Sequence, residues 1–72
     1  MKIHMIFDCF EIWLDIATDK PAAVIYEALN HARAGWEIDA AVGVNLPPHA
    51  YISAELESVG ARIRNYCEVE TC

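Results

Sequence analysis

The sequence has few basic side chains, and this shortage limits what the chain can bind directly. Five lysines and arginines stand against 11 aspartates and glutamates, so the formal net charge at pH 7 is −6. Such a charge repels phosphate backbones and anionic lipid headgroups. We therefore expect no direct binding to nucleic acid or to a membrane, and the expected partner is a basic protein or nucleoprotein complex.

Long apolar runs are also missing. No stretch approaches the roughly 20 residues that a membrane-spanning helix needs, and residues 1–10 lack the apolar core and cleavage site of a secretory signal. The three cysteines, Cys9, Cys67 and Cys72, are an odd number. An odd count without a secretory signal predicts free thiols in a reducing cytoplasm.

No catalytic or metal-binding motif is present. His4, Asp8 and Cys9 are close in sequence, but on a regular strand Cys9 points away from the face that His4 and Asp8 share, which is wrong for nucleophilic catalysis. The cysteines and histidines also lack the spacing of zinc ligands. We therefore expect no enzyme, no cofactor and no metal.

The clearest secondary-structure signal is a helix from Lys20 to Gly35. Pro21 suits the first helical turn, and Gly35 can adopt the left-handed conformation that ends a helix. Apolar residues recur at three- and four-residue spacing, which predicts one buried stripe. The stripe consists of Val24 or Ile25, Ala28, Leu29 and Ala32.

The rest of the chain predicts strands and a second helix. The alternation of apolar and polar residues in the first 17 positions changes phase at Asp8-Cys9, which favours a hairpin between two strands. A third strand is predicted at Trp36–Val42, a helix at Pro48–Val59 and a last strand at Ala61–Val69. In that last strand we expect Ile63, Cys67 and Val69 to face inward, and Arg62, Arg64, Tyr66 and Glu68 to face outward. The prediction is one α+β domain over residues 1–72, ββαβαβ, whose four-stranded sheet has two helices on one face.

The uncovered sheet face is the predicted binding site. Aromatic side chains supply anchors that lose water on binding, and carboxylates select a basic partner. Small size, acidity and the lack of catalytic residues are typical of phage or mobile-element inhibitors of the anti-CRISPR or DNA-mimic type, which occupy a nucleic-acid-binding surface. The predicted contact residues are Glu11, Trp13, Asp15, Glu37, Asp39, Tyr66 and Glu68.

Two alternatives remain open. One stretch, WEIDAAVGVNLPP followed by AELESVGARI, resembles the strand, loop and helix near the start of GT-B glycosyltransferases. The segment DCFEIW lacks the glycine-rich loop that follows the first strand of that family. That resemblance implies a half-Rossmann fragment with a ligand near Asp8 and residues 43–45. A second resemblance, of KPAAVIYEAL with AELESVGARI, is to the C-terminal domain of the bacterial ribosomal stalk protein, but the basic helix of that family is absent here.

The alternative to the half-Rossmann fragment is a homodimeric accessory domain.

Overall fold

The computed structural model describes residues 1–72 and contains three strands and two helices. In chain order these are β1 (Lys2–Ile6), β2 (Phe10–Ala17), α1 (Ala22–Ala41), α2 (Pro48–Ser58) and β3 (Arg62–Glu70). The strands form one antiparallel sheet in the order β1-β2-β3. The domain is α+β, but the predicted four-stranded ββαβαβ sheet was wrong, since the order is ββααβ.

The prediction of a strand at Trp36–Val42 was wrong, because α1 continues through Trp36 to Ala41 and Val42 follows its end. Gly35 is not left-handed; Gly43, with φ +88°, follows the end of the helix instead. The Tyr51 ring of α2 lies beside Gly35, and a Cβ added there would meet the ring at 3.5 Å, an ordinary van der Waals contact. Glycine costs a helix interior only about 1 kcal/mol, so the packing of the neighbouring Trp36 against Phe7 and Phe10 can carry α1 through this residue.

The hairpin between β1 and β2 was predicted correctly. The pairs run from Lys2 with Asp15 to Ile6 with Glu11, and the Phe7 N–H donates to the Phe10 carbonyl at 2.9 Å. The change of phase turns both apolar sets toward the helices. The buried set comprises Ile3, Met5, Phe7, Ile12, Leu14 and Ile16.

Both helices cover this same face of the sheet. The predicted stripe of α1 is buried at Ile25, Ala28, Leu29 and Ala32, and α2 contributes Ile52 and Leu56. Every strand pair is antiparallel. A half-Rossmann unit requires parallel strands joined by crossover helices, so that interpretation of the fold was wrong.

An irregularity in β3 changes which side chains face solvent. The register shifts between Asp15 and Ile16 of β2, which pair with Asn65 and Ile63. A one-residue shift moves every later side chain to the opposite face. The predicted orientation is therefore wrong beyond the shift. Tyr66 and Glu68 lie opposite Leu14 and Ile12 on the helix side, whereas Cys67 and Val69 lie on the open side and are exposed.

Two of the three cysteines form a disulfide, so the prediction of free thiols was wrong for Cys9 and Cys72. Their Cα atoms are 4.8 Å apart, and the bond joins the β1–β2 turn to the end of the chain. The Thr71 N–H donates to the Cys9 carbonyl at 2.9 Å, which brings both ends of the bond together. Cys67 is free and exposed.

Candidate protein-binding site

The seven residues of the predicted binding site lie on three structural elements and do not share one sheet face. Because α1 is longer than predicted and β3 changes phase, the single acidic sheet face is not formed. Glu11, Trp13 and Asp15 lie on the open side of β2, Glu37 and Asp39 on α1, and Tyr66 and Glu68 on the helix side of β3.

The open sheet face consists of three rows of side chains that run across the strands. Trp13 is at its centre and is half exposed. Each row takes one residue from each strand, in the order β1, β2 and β3. The rows are Ile6, Glu11 and Val69; His4, Trp13 and Cys67; and Lys2, Asp15 and Asn65.

The carboxylates of this open face have partners within the chain. Glu11 Oε1 lies 3.0 Å from His4 Nε2, and the His4 ring stacks on Trp13 at 3.8 Å between centroids. Asp15 lies 3.5 Å from the Met1 amino group and 3.8 Å from the Arg64 guanidinium. Charges held in this way offer less attraction to an outside cation, so the open face is not a strongly acidic surface.

Asp39 and Glu68 accept hydrogen bonds from tyrosine hydroxyls. The Tyr51 hydroxyl donates to Asp39 Oδ2, and this bond raises the pKa of Tyr51. The Tyr66 hydroxyl donates to Glu68 Oε1 at 3.2 Å; burial, and then the charge of Glu68, raise the pKa of Tyr66. Both phenols therefore stay protonated at neutral pH and orient these carboxylates.

Lysines and arginines are distributed unevenly along the molecule, whereas carboxylates occur at both ends. We call one end the turn end: it holds the β1–β2 turn, the last turn of α1, the loop at residues 42–47 and the end of β3. Basic residues concentrate at the opposite end, where β1 and β3 begin and β2 finishes. The turn end carries the carboxylates Asp8, Glu37, Glu68 and Glu70, and the opposite end carries Lys2, Lys20, Arg62 and Arg64. Of the five lysines and arginines, only Arg33 reaches the turn end.

The turn end also exposes most of the large apolar side chains that lie outside the core. Ile38 is 65% exposed and Val42 is 75% exposed, at i and i+4 on one side of α1. Single exposed apolar residues are ordinary, but a concentration of them beside polar groups marks an interaction surface. The exposed apolar side chains of this end are Ile6, Ile38, Val42, Val44, Leu46 and Val69.

Two hollows indent the turn end, with the rings of Phe10 and Trp36 between them. The first hollow, of about 550 Å³, is also lined by Phe7, Asp8, Arg33 and Glu37. The second, of about 310 Å³, is also lined by Val44, Leu46, Pro47, Pro48 and Glu68. Each hollow therefore combines apolar walls with at least one carboxylate.

Trp36 is fixed between the hollows. Its Nε1–H donates to the Leu46 carbonyl at 3.1 Å. Its ring meets Phe7 and Phe10 edge to face, at 5.3 and 5.5 Å between centroids. The Arg33 guanidinium lies 4.4 Å from the Phe7 ring centre, a cation–π contact. This wall is formed in the free protein, so a ligand would not have to order it.

The structure also places the residues that the sequence analysis considered for catalysis. His4 is engaged with Glu11 and Trp13, and Cys9 is in the disulfide, so His4, Asp8 and Cys9 form no nucleophilic arrangement. No group of three or more His, Cys, Asp or Glu side chains is placed to hold a metal ion. Neither helix is long and apolar enough to cross a membrane.

Comparison with known proteins identifies no relative. No family model matches the sequence, and no curated protein or solved structure is significantly similar to the chain. The resemblances to glycosyltransferases and to the ribosomal stalk domain therefore gain no support.

Sequence reasoning missed Asp8, Glu70, Phe10 and Trp36 as members of this surface. A signal was available for α1: a helix through residues 36–42 places Ile38 and Val42 on one side and Trp36 on the other. Asp8 could have been placed from the predicted hairpin turn. The position of Glu70 beside Phe10 depends on the pairing of β3 with β2, which the sequence does not specify.

Proposed function

We propose that the chain is a non-enzymatic protein-binding module whose turn end binds a basic surface of another protein. One observation carries the proposal: most of the exposed large apolar side chains and four carboxylates without basic partners, Asp8, Glu37, Glu68 and Glu70, occur together at one end, while four of the five lysines and arginines lie at the other. The module is thereby polarised, and a basic partner would meet it end-on.

The two kinds of group contribute differently to such an interface. Burial of apolar surface contributes roughly 25 cal/mol per Å² and supplies affinity. Carboxylates at the rim steer the encounter and select a basic partner, and their effect weakens as salt screens them. High ionic strength should therefore weaken the complex, but the apolar contacts should keep part of its affinity.

The sharper form of the proposal is an inhibitor of the anti-CRISPR or DNA-mimic type. Asp8, Glu37, Glu68 and Glu70 would stand where phosphates stand against lysine and arginine side chains, and the partner would lose access to its nucleic acid. The acidity of the turn end supports this form. A cytoplasmic location stays a prediction, and the Cys9–Cys72 disulfide counts against it because such bonds persist in oxidising compartments.

The test is an affinity capture with two variants of equal charge. The end variant carries Asp8→Asn, Glu37→Gln and Glu70→Gln. The control variant removes the same number of charges elsewhere, with Asp19→Asn, Glu27→Gln and Glu57→Gln, all exposed positions. Each protein is immobilised, exposed to host lysate at low salt and eluted with rising salt.

We expect one basic complex to be held by the wild type and by the control variant but not by the end variant, and to be released by salt. Its DNA or RNA should then compete with the wild-type protein for binding. Equal capture by both variants would rule out the turn end as the binding surface. A partner that binds its nucleic acid and this chain together would rule out the mimic form alone.

A homodimer formed through the open sheet face is a second candidate. Its support is that the carboxylates there are already paired within the chain, while Ile6, Trp13 and Val69 are exposed. Sedimentation velocity at 10 to 200 μM, a range we choose to span weak association, compares the wild type with Trp13→Ser. A dimer lost in the variant supports this candidate, and a wild-type monomer throughout the range excludes it.

A further inference from the structure

We propose that the partner presents an extended basic segment, and that two cationic side chains from alternate residues of this segment enter the two hollows on either side of Trp36. The inference rests on the proposed function and names the chemistry that the turn end recognises. It depends on three features: the lining of each hollow, the carboxylates without basic partners and the wall that the two hollows share.

The second hollow fits a lysine or arginine side chain. Its walls are largely apolar, formed by Val44, Leu46, Pro47 and the two shared rings, and Glu68 is its only charged group. Long basic side chains bury an aliphatic stem along apolar surface while the charged head seeks a polar partner. Here the Tyr66 hydroxyl holds the Glu68 carboxylate, which leaves acceptor sites for an incoming cation.

The first hollow also attracts a cation. Asp8 and Glu37 line it, and neither carboxylate is within ion-pair distance of a basic group of the chain. Arg33, the one cation present, lies over the Phe7 ring. The hollow therefore keeps an excess of negative charge beside an aromatic wall, and this combination favours a guanidinium or ammonium group.

The arrangement of the hollows selects an extended segment. They share a wall made of Phe10 and Trp36. In an extended chain, alternate side chains point to the same side and are about 7 Å apart, so the intervening residue can cross above the two rings. The recognised pattern is basic-x-basic.

Nuclear magnetic resonance provides a test with an internal control, because the chain has two tryptophans. The Trp36 indole N–H reports on the hollows, and the Trp13 indole N–H reports on the open sheet face. Trp13→Phe assigns the two signals. The probe is the peptide acetyl-Gly-Arg-Ser-Arg-Gly-amide, and the control peptide has glutamine in place of both arginines.

We expect the arginine peptide to shift the Trp36 indole signal and leave the Trp13 signal in place, while the glutamine peptide shifts neither. Glu68→Gln should weaken binding of the arginine peptide about tenfold, the factor for one lost charge-assisted hydrogen bond. Glu57→Gln, at the other end of the molecule, should leave it unchanged. Otherwise unaltered spectra of both variants show that the fold is intact.

Three results would overturn the inference: a shift of the Trp13 signal alone, equal binding of the two peptides, or no effect of Glu68→Gln. None of them decides the proposed function, which the capture experiment tests with Asp8, Glu37 and Glu70. A partner captured by the turn end in the absence of peptide binding would mean that a folded basic surface, and not an extended segment, is recognised.

Discussion

Reduction of the Cys9–Cys72 disulfide should destabilise the protein severely. The bond joins residues 63 positions apart and so constrains nearly the whole unfolded chain. In the loop-entropy description, a cross-link closing a loop of that length contributes roughly 4 kcal/mol to the free energy of unfolding. A domain of this size is stable by only about 4 to 11 kcal/mol. The reduced protein is therefore expected to be marginally folded at 37 °C.

Urea unfolding, followed by circular dichroism with and without a reducing agent, measures this contribution. The wild type should lose roughly 4 kcal/mol on reduction, and Cys9→Ser with Cys72→Ser should match the reduced wild type. Cys67→Ser should respond to the reducing agent as the wild type does, because Cys67 is outside the bond. Titration of thiols in the unfolded, unreduced protein should find one thiol. Three thiols, or an unchanged urea midpoint on reduction, would refute the reasoning.

The remaining predictions concern stability. Gly35→Ala should stabilise α1 by up to about 1 kcal/mol, because the added Cβ meets the Tyr51 ring only in van der Waals contact. Gly43→Ala should destabilise the protein, because φ is +88° at that residue. The urea midpoints of the two variants should therefore move in opposite directions. Leu56→Ala, at a fully buried position, should cost about 2 to 5 kcal/mol, while Ile38→Ala should change the free energy of unfolding by less than about 0.5 kcal/mol and weaken only partner binding. The raised pKa of Tyr66 means that the unfolded chain loses this proton first as pH rises, so stability should fall above pH 10.0, the ordinary tyrosine pKa. Tyr66→Phe should make that fall shallower in pH-dependent melting, and an identical fall would contradict the assignment.

The parts of the fold that depend on neighbouring residues could be predicted from the sequence. The hairpin follows from the change of phase at Asp8-Cys9, and the buried stripe of α1 follows from spacing within four turns. The end of α1 depends instead on residues distant in sequence. Gly35 lies beside the Tyr51 ring of α2, and Trp36 is held by Phe7, Phe10 and the Leu46 carbonyl.

The face assignments of β3 failed for a similar reason. A strand's alternation predicts its faces only if its pairing is regular, and the register shift opposite Asp15 reverses the faces of Tyr66, Cys67, Glu68 and Val69. The sequence shows no glycine or proline there to indicate an irregularity. The binding site inherited both errors, because the single acidic face required a strand at residues 36–42 and a regular β3.

Residues 36–42, for which a strand was predicted, are also the segment that most favours a binding role. Trp36 packs against Phe7 and Phe10. α1 continues to Ala41, about 8 Å further at 1.5 Å per residue. Beyond Trp36 the side chains of Ile38 and Val42 are exposed, and exposed apolar groups beside polar ones mark interaction surfaces. An exposed apolar helix end with carboxylates beside it is accounted for if a basic partner covers it.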